Sequence, residues 1–225
     1  MRNLLLFGGL LLIAHPAFAG PCLPGTLSDY ISQGSCTLNQ VEFTDFFLAE
    51  LLRGATEIDP GLAQITPGGP AYAPTLLLTL NTTANAGEVL QSSFHFTAFS
   101  NSLLGAFISL GSPLVAGDGA VTGILDVCAD GFFLGVEPVG CNGSALTAVV
   151  FSIDGDSQLS SRLDFPASSF FDIFVDITID GGTAGSASLD SAGVGVVTPE
   201  PSTLLLLTLP FAGLGYIKLR RWRRH

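Results

Sequence analysis

Apolar and polar residues alternate with a period of two along much of this chain. In "FFDIFVDITID", Phe171, Ile173, Val175, Ile177 and Ile179 share one face, while Asp172, Asp176, Thr178 and Asp180 share the other, interrupted only by Phe174. Such a pattern predicts a half-buried strand. "LQSSFHFTAF" repeats it, with Leu90, Phe94, Phe96 and Ala98 against Gln91, Ser93, His95 and Thr97. "QLSSRLDF" repeats it again, with Leu159, Leu163 and Phe165 against Gln158, Ser160, Arg162 and Asp164. "TLLLTL", "AVTGILDVC" and "ALTAVVFSI" are more continuously apolar, which predicts strands buried on both faces. Turn sequences separate these runs: "DPG" at 59–61, "PGGP" at 67–70, "NAGE" at 85–88, "GDG" at 117–119, "DGD" at 154–156 and "DGG" at 180–182. Roughly ten short strands at hairpin spacing predict an all-β fold, an antiparallel β-sandwich of jelly-roll type. One stretch reads two ways. "TDFFLAELLRG" (44–54) has a helical start at Thr44 and a stop at Gly54, yet it also continues a strand through Val41 and Phe43.

Little catalytic chemistry is legible in this body. A Ser-His-Asp or Cys-His arrangement would have to use His95, and His95 falls mid-strand on the polar face, where it reads as a surface histidine. Asp172, Asp176 and Asp180 share a face, but residues four apart on a strand are about 13 Å apart, too far for a glycosidase pair. They read as a solvated acidic face, with Glu137 and Asp164 as the carboxylates that another strand could bring near. Asp154 and Asp156 are a calcium candidate. Their "DGDSQ" loop lacks the Gly and the final Glu of an EF-hand, so the alternative is a plain hairpin turn. The Thr-rich "LTLNTT" is the one hint of a flat ligand-binding face. Sequons stand at Asn81 and Asn142.

The two ends differ from the body. "MRNLLLFGGLLLIAHPAFAG" has Arg2, an apolar run, and Ala17 and Ala19 in the small-residue places of an A-x-A site, which predicts a signal peptide over residues 1–19 cleaved before Gly20. At the other end, the apolar run over residues 203–219 is near the length of a membrane-spanning helix, and Arg220, Arg221, Arg223 and Arg224 follow it. Those arginines predict stop-transfer with the C-terminus inside. Between the ends, residues 20–197 carry two cationic residues, Arg53 and Arg162, against eighteen acidic ones. A body this acidic repels phosphate backbones, which excludes nucleic acid as a direct partner. Its Cys22, Cys36, Cys128 and Cys141 are an even set in an exported chain, which predicts disulfides. Of the three pairings, the local ones, Cys22–Cys36 and Cys128–Cys141, close short Gly- or Pro-containing loops and are expected.

"TPEPSTLLLLTLPFAGLGYIKLRRWRRH" has the order Pro-Glu-Pro, apolar helix, arginine cluster. That order closely resembles the PEP-CTERM sorting signal of Gram-negative bacteria, a tail also catalogued under an ice-binding C-terminal name. The body is similar by general pattern to uncharacterised exported β-domains that carry this tail. The resemblance implies that Pro199, Glu200 and Pro201 are recognised by a membrane-embedded exosortase that removes the tail. The expected organisation is therefore a signal peptide (1–19), an exported β-sandwich (20–191), a linker holding the motif (192–202), a transmembrane helix (203–219) and a cytoplasmic basic tail (220–225). The expected partners are the translocon, signal peptidase, an exosortase-like enzyme and exopolysaccharide, and the expected destination is the envelope or extracellular matrix. The expected role is non-enzymatic and structural, with no cofactor. A calcium-assisted adhesin or glycan-binding module is the alternative, and a hydrolase the third reading.

Overall fold

The computed structural model describes residues 19–135 and 140–200. The first elements are β1 (Gly25–Thr26), helix α1 (Leu27–Gln33), β2 (Ser35–Leu38), β3 (Val41–Leu48), β4 (Thr56–Glu57), β5 (Gln64–Gly68) and β6 (Thr75–Asn85). There follow β7 (Val89–Gly111), β8 (Leu114–Ala116), β9 (Ala120–Ala129), β10 (Ser144–Ile153), β11 (Asp156–Gln158), β12 (Ser160–Asp180) and β13 (Ser186–Val197). Among the described residues, all pairings between these strands are antiparallel except that of β4 with β7, and Pro21 adds an isolated parallel bridge to Thr37 of β2. The expected all-β, antiparallel class is therefore the observed one.

Two strands organise the molecule. β7 has 23 residues and β12 has 21, each long enough to serve two layers. Their first junction pairs residues 89–99 of β7 with residues 170–180 of β12. Register shifts between Asp164 and Phe170, around Pro166, break the ladder, and beyond them β7 pairs with residues 160–164 of β12. Bulges of this kind let a strand pass from one sheet to the next. The first layer is β2-β3-β7-β12-β9-β10-β11, and the second is β1-β5-β6-β13-β7-β12. Their inner faces meet in one core. Phe94, Phe96, Phe171, Ile173 and Leu125 come from the first layer, and Ile65, Leu76, Leu78, Ile108 and Val194 from the second, all fully buried. Each such side chain contributes about 1.5–3 kcal/mol. Gly123 of β9 shows how closely the layers approach: a Cβ there would lie 3.1 Å from Ile108 Cδ1 and 3.4 Å from Leu110 Cδ2 of the opposite sheet.

The ambiguous stretch over 44–54 is no helix. Its first part completes β3, and a bulge falls between Thr44 and Phe47, with Asp45 at φ 57°. The helix lies earlier, where Thr26 and Asp29 cap each other's backbone N–H groups at 3.1 and 2.7 Å. The runs read as buried on both faces are partly open: Leu77 of β6 and Val149 of β10 are exposed, because none of the described residues covers the outer faces there. Residues 192–197, read in the sequence as the start of a linker, are the second half of β13, with Ala192, Val194 and Val196 in the core. They hold because β6 and β7 bond them on both sides. Residues 1–18 of the expected signal peptide (1–19), Ala17 among them, Glu137, Pro201 of the expected sorting motif, the expected transmembrane segment 203–219 and Arg220, Arg221, Arg223 and Arg224 lie outside the described residues. Among the described residues no helix is long and apolar enough to cross a membrane.

Both expected disulfides are present. Cys22–Cys36 ties the entering chain to β2, and Cys128–Cys141 ties β9 to the loop before β10. At the entry, the Gly20 carbonyl already accepts the Thr37 N–H at 2.7 Å. Ala19 and Gly20 are thus the first of the described residues, and Gly20 is already bonded to β2.

Candidate functional site

The outer face of the first layer holds the residues that the sequence placed on polar strand faces, and the structure covers much of it. His95 is 8% exposed and Asp172 2%, and Gln91, Ser93 and Thr97 are buried beside them. The reading of His95 as a surface residue and of Asp172 as a solvated carboxylate is corrected accordingly. The cover comes from two segments distant in sequence. The chain after β3 crosses the face, with the Leu52 N–H donating to Gln91 Oε1 at 2.7 Å and the Ile58 N–H to the Gln91 carbonyl at 2.7 Å. The loop after β9 covers the other end.

Asp172 is the hub of this face. It accepts from His95 Nε2 at 2.5 Å, from the Thr97 hydroxyl at 3.3 Å and from the Phe133 N–H at 2.8 Å. Phe47 stacks on His95 with ring centroids 4.3 Å apart. His95 Nδ1 is buried and has no hydrogen-bond partner among the described residues. The pair thus joins β7, β12 and the loop after β9, and among the described residues no serine or cysteine is bonded to the imidazole.

Further along, Asp176 accepts from Gln91 Nε2 at 2.7 Å and from the Thr178 hydroxyl at 3.1 Å. Asp126 of β9 accepts from the Thr147 hydroxyl. It sits diagonally from Asp176 across the β9–β12 ladder, about 7–8 Å by ordinary sheet geometry. Burial pushes both carboxyls up, and in Asp126 the neighbouring charge of Asp176 adds to it. Sequence reasoning named Glu137, which lies outside the described residues, and Asp164 as the cross-strand candidates. Asp164 instead makes an exposed ion pair with Arg162 at 2.7 Å, and the approach comes from Asp126, whose position depended on strand order.

Where β7 and β12 bend between layers, the outer face becomes aromatic and open. Phe99 is 36% exposed and Phe132 48%. Phe170 lies between them, its ring 5.6 Å from Phe99 and 5.0 Å from Phe132. Beside Phe99 lies a shallow groove of about 470 Å³. Gln40, Glu42 and Asn101 line it with hydrogen-bonding side chains. None of these was singled out in the sequence. The exposed aromatics sit at bend positions where the period-two pattern breaks.

The calcium candidates Asp154 and Asp156 are exposed at the β10–β11 turn. Gly155 between them has φ 78°, as a tight hairpin needs. Among the described residues no group of three or more His, Cys, Asp or Glu side chains is placed to hold a metal ion.

Asp118, in the turn after β8, is another carboxylate with a defined task. It accepts from the Thr183 N–H at 2.8 Å, the Thr183 hydroxyl, and the Ala184 N–H at 3.0 Å. The Thr183 hydroxyl, then the two amides, hold its pKa down at about 2, against an ordinary 3.8. A depressed carboxyl stabilises the fold above its unfolded pKa, and that contribution is lost as pH falls through the folded value. The Thr183 and Ala184 amides are therefore expected to lose hydrogen-exchange protection between about pH 4 and pH 2. Asp118→Asn should remove that acid step, and an unchanged step would refute the assignment.

Fold and site together define a disulfide-bonded β-sandwich with a buried polar hub and an aromatic corner. No family model matches the chain, and no curated protein matches it. Two solved structures show a distant likeness. TmCBM61 in complex with beta-1,4-galactotriose shares 9% identity at a TM-score of 0.27, over 61% of this chain and 89% of that one. The enzymatically active domain of bacteriophage CBA120 tailspike protein 4 shares 10% identity at 0.25, over 68% of this chain and 19% of that one.

Proposed function

We propose that the chain is an exported protein whose β-sandwich is a non-enzymatic interaction domain, delivered and released through its C-terminal tail. One observation carries the delivery half. The fold grips the chain up to Thr198, whose N–H donates to the Tyr72 carbonyl at 2.9 Å, and leaves Pro199 and Glu200 exposed. The exposure of Pro199 and Glu200 supports the reading of Pro199-Glu200-Pro201 as a sorting motif in reach of an exosortase-like enzyme. The apolar run over 203–219 serves as a transient inner-membrane anchor with Arg220, Arg221, Arg223 and Arg224 inside. Two disulfides and a strongly acidic body suit the exported destination, in the envelope or the matrix.

The test is the mass of the mature protein from cells with and without an exosortase. With the enzyme, the protein should lack residues 1–19 and everything beyond the Pro-Glu-Pro motif. Equal masses that both retain the tail would refute the sorting reading.

A second reading, a glycan-binding module, is favoured by the open aromatic corner at Phe99, Phe170 and Phe132. Calcium assistance at Asp154 and Asp156 has no third ligand among the described residues.

A further inference from the structure

We infer that the groove beside Phe99 binds an uncharged polysaccharide chain, with the Phe99 ring as the platform under one sugar. The inference rests on the glycan-binding reading and gives it a site and a ligand class.

The groove's chemistry is mixed in a particular way. Phe99 is the aromatic element of its wall, and it is flanked by Glu42 on β3 and by Phe170 on β12, both directly opposite it in the ladders. Phe170 stacks against it from the β12 side, while the groove is lined from the β2–β3 side by Thr37, Gln40 and Glu42, and from β12 by Ser169. Phe99 lines the groove with the aromatic surface left free. Gln40, Glu42 and Asn101 surround it with planar amide and carboxylate groups. A pyranose has an apolar face of C–H groups and a rim of hydroxyls. The C–H face packs on the electron-rich ring face, and amides and carboxylates accept and donate along the rim. Pockets with an apolar floor and a few convergent polar groups are the usual form of a small-ligand site, and about 470 Å³ is within their range.

Charge decides which polysaccharide. Carboxylated or sulfated chains are held by arginine or lysine. The groove has no cationic side chain, and its one charged residue is Glu42. The folded body has two cations in all, and Arg162 is already paired with Asp164. An anionic chain would meet repulsion at the site and across the surface. An uncharged chain meets none.

The strand corner also explains why the site can hold its form. Phe99, Ser100 and Asn101 belong to the bend of β7, and Ser169 to the bend of β12. Ser168 and the Ser169 N–H are fixed by Asp130 Oδ1 at 2.7 and 3.3 Å. The platform is therefore built before any ligand arrives, which lowers the ordering cost of binding.

Affinity electrophoresis tests this with the full chain in mild detergent, in gels containing galactan, mannan, β-glucan or polygalacturonate. Retardation is expected in at least one uncharged gel and not in polygalacturonate. Phe99→Ala should weaken it at least tenfold, with only a small fall in unfolding temperature because the ring is partly exposed and its loss removes the stack on Phe170. Glu42→Gln should keep the fold and weaken the same interaction. No retardation in any uncharged gel, or full retardation of Phe99→Ala, overturns the inference. So does a concentration-dependent dimer of the chain that Phe99→Ala abolishes, which would assign the corner to self-association. None of these outcomes touches the tail reading, which fails only on the masses of the mature protein.

Discussion

Asp172→Ala is expected to destabilise the domain by about 3–5 kcal/mol, because each buried donor it leaves unsatisfied costs about 1–3 kcal/mol. The reason is the number of groups that depend on it. His95 Nε2, the Thr97 hydroxyl and the Phe133 N–H all donate to this one carboxylate. Alanine leaves the buried His95 and Thr97 donors and the half-buried Phe133 N–H without their partner. His95 is hit hardest, because its Nδ1 has no partner among the described residues even in the intact protein. The imidazole would then be buried with neither nitrogen bonded. For a domain of this size the loss corresponds to a fall in Tm of roughly 6–20 °C. Asp164→Ala supplies the internal comparison. Its partner is Arg162, at 2.7 Å, but the pair is exposed, with side chains 55% and 71% accessible. Exposed pairs contribute about 0–1 kcal/mol. Thermal or urea unfolding of the two variants should therefore differ severalfold. Equal, small losses would show that Asp172 is not the hub its contacts describe. Asp172→Asn keeps the shape and one acceptor oxygen, so it should fall between the two.

The same residue shows how far the sequence could be read. Alternation put Phe171, Ile173 and Val175 on one face and Asp172 on the other, and that division is correct, since the apolar set fills the core. What alternation cannot show is what lies over the polar face. The cover comes from residues 49–58 and from the loop after β9, both remote from β12 in sequence, and only the folded chain brings them there. The stretch after Thr44 misled for a local reason. Asp45 adds one residue to β3, so the buried positions run Val41, Phe43, Phe46. Spacing of two and then three is how a bulge imitates the start of a helical stripe. Helix α1 was hidden by its length: seven residues give two buried positions, Leu27 and Tyr30, too few to establish a period. The disulfides were legible because short loops leave few ways to pair. The aromatic corner was not legible, since Phe99, Phe132 and Phe170 lie at bends and in a loop and meet through strand order alone.

Replacing both Cys128 and Cys141 with serine is expected to cost about 3 kcal/mol, as for a closed loop of some fifteen residues. The position of this bridge makes its effect more than a general loosening. Cys128 lies on β9 directly opposite Asp172 of β12, so the bridge and the Asp172–Phe133 bond fasten the same loop next to each other. Phe132, at the start of that loop, completes the stack with Phe170 and Phe99. Its N–H is further held by Asn142 Oδ1 at 2.8 Å, one residue after Cys141. Two consequences follow that a remote bridge would not produce. Hydrogen exchange at Phe132 and Phe133 should accelerate in the double serine variant, whereas the Cys22→Ser, Cys36→Ser variant should leave those two amides protected while losing a similar stability. Combining Cys128→Ser and Cys141→Ser with Asp172→Ala should cost less than the sum of the separate losses, because once the loop is released from one fastening the other has less left to hold. Strict additivity in that cycle would mean that the two restraints act on different parts of the molecule, and the shared loop would lose its place as the link between the buried hub and the aromatic corner.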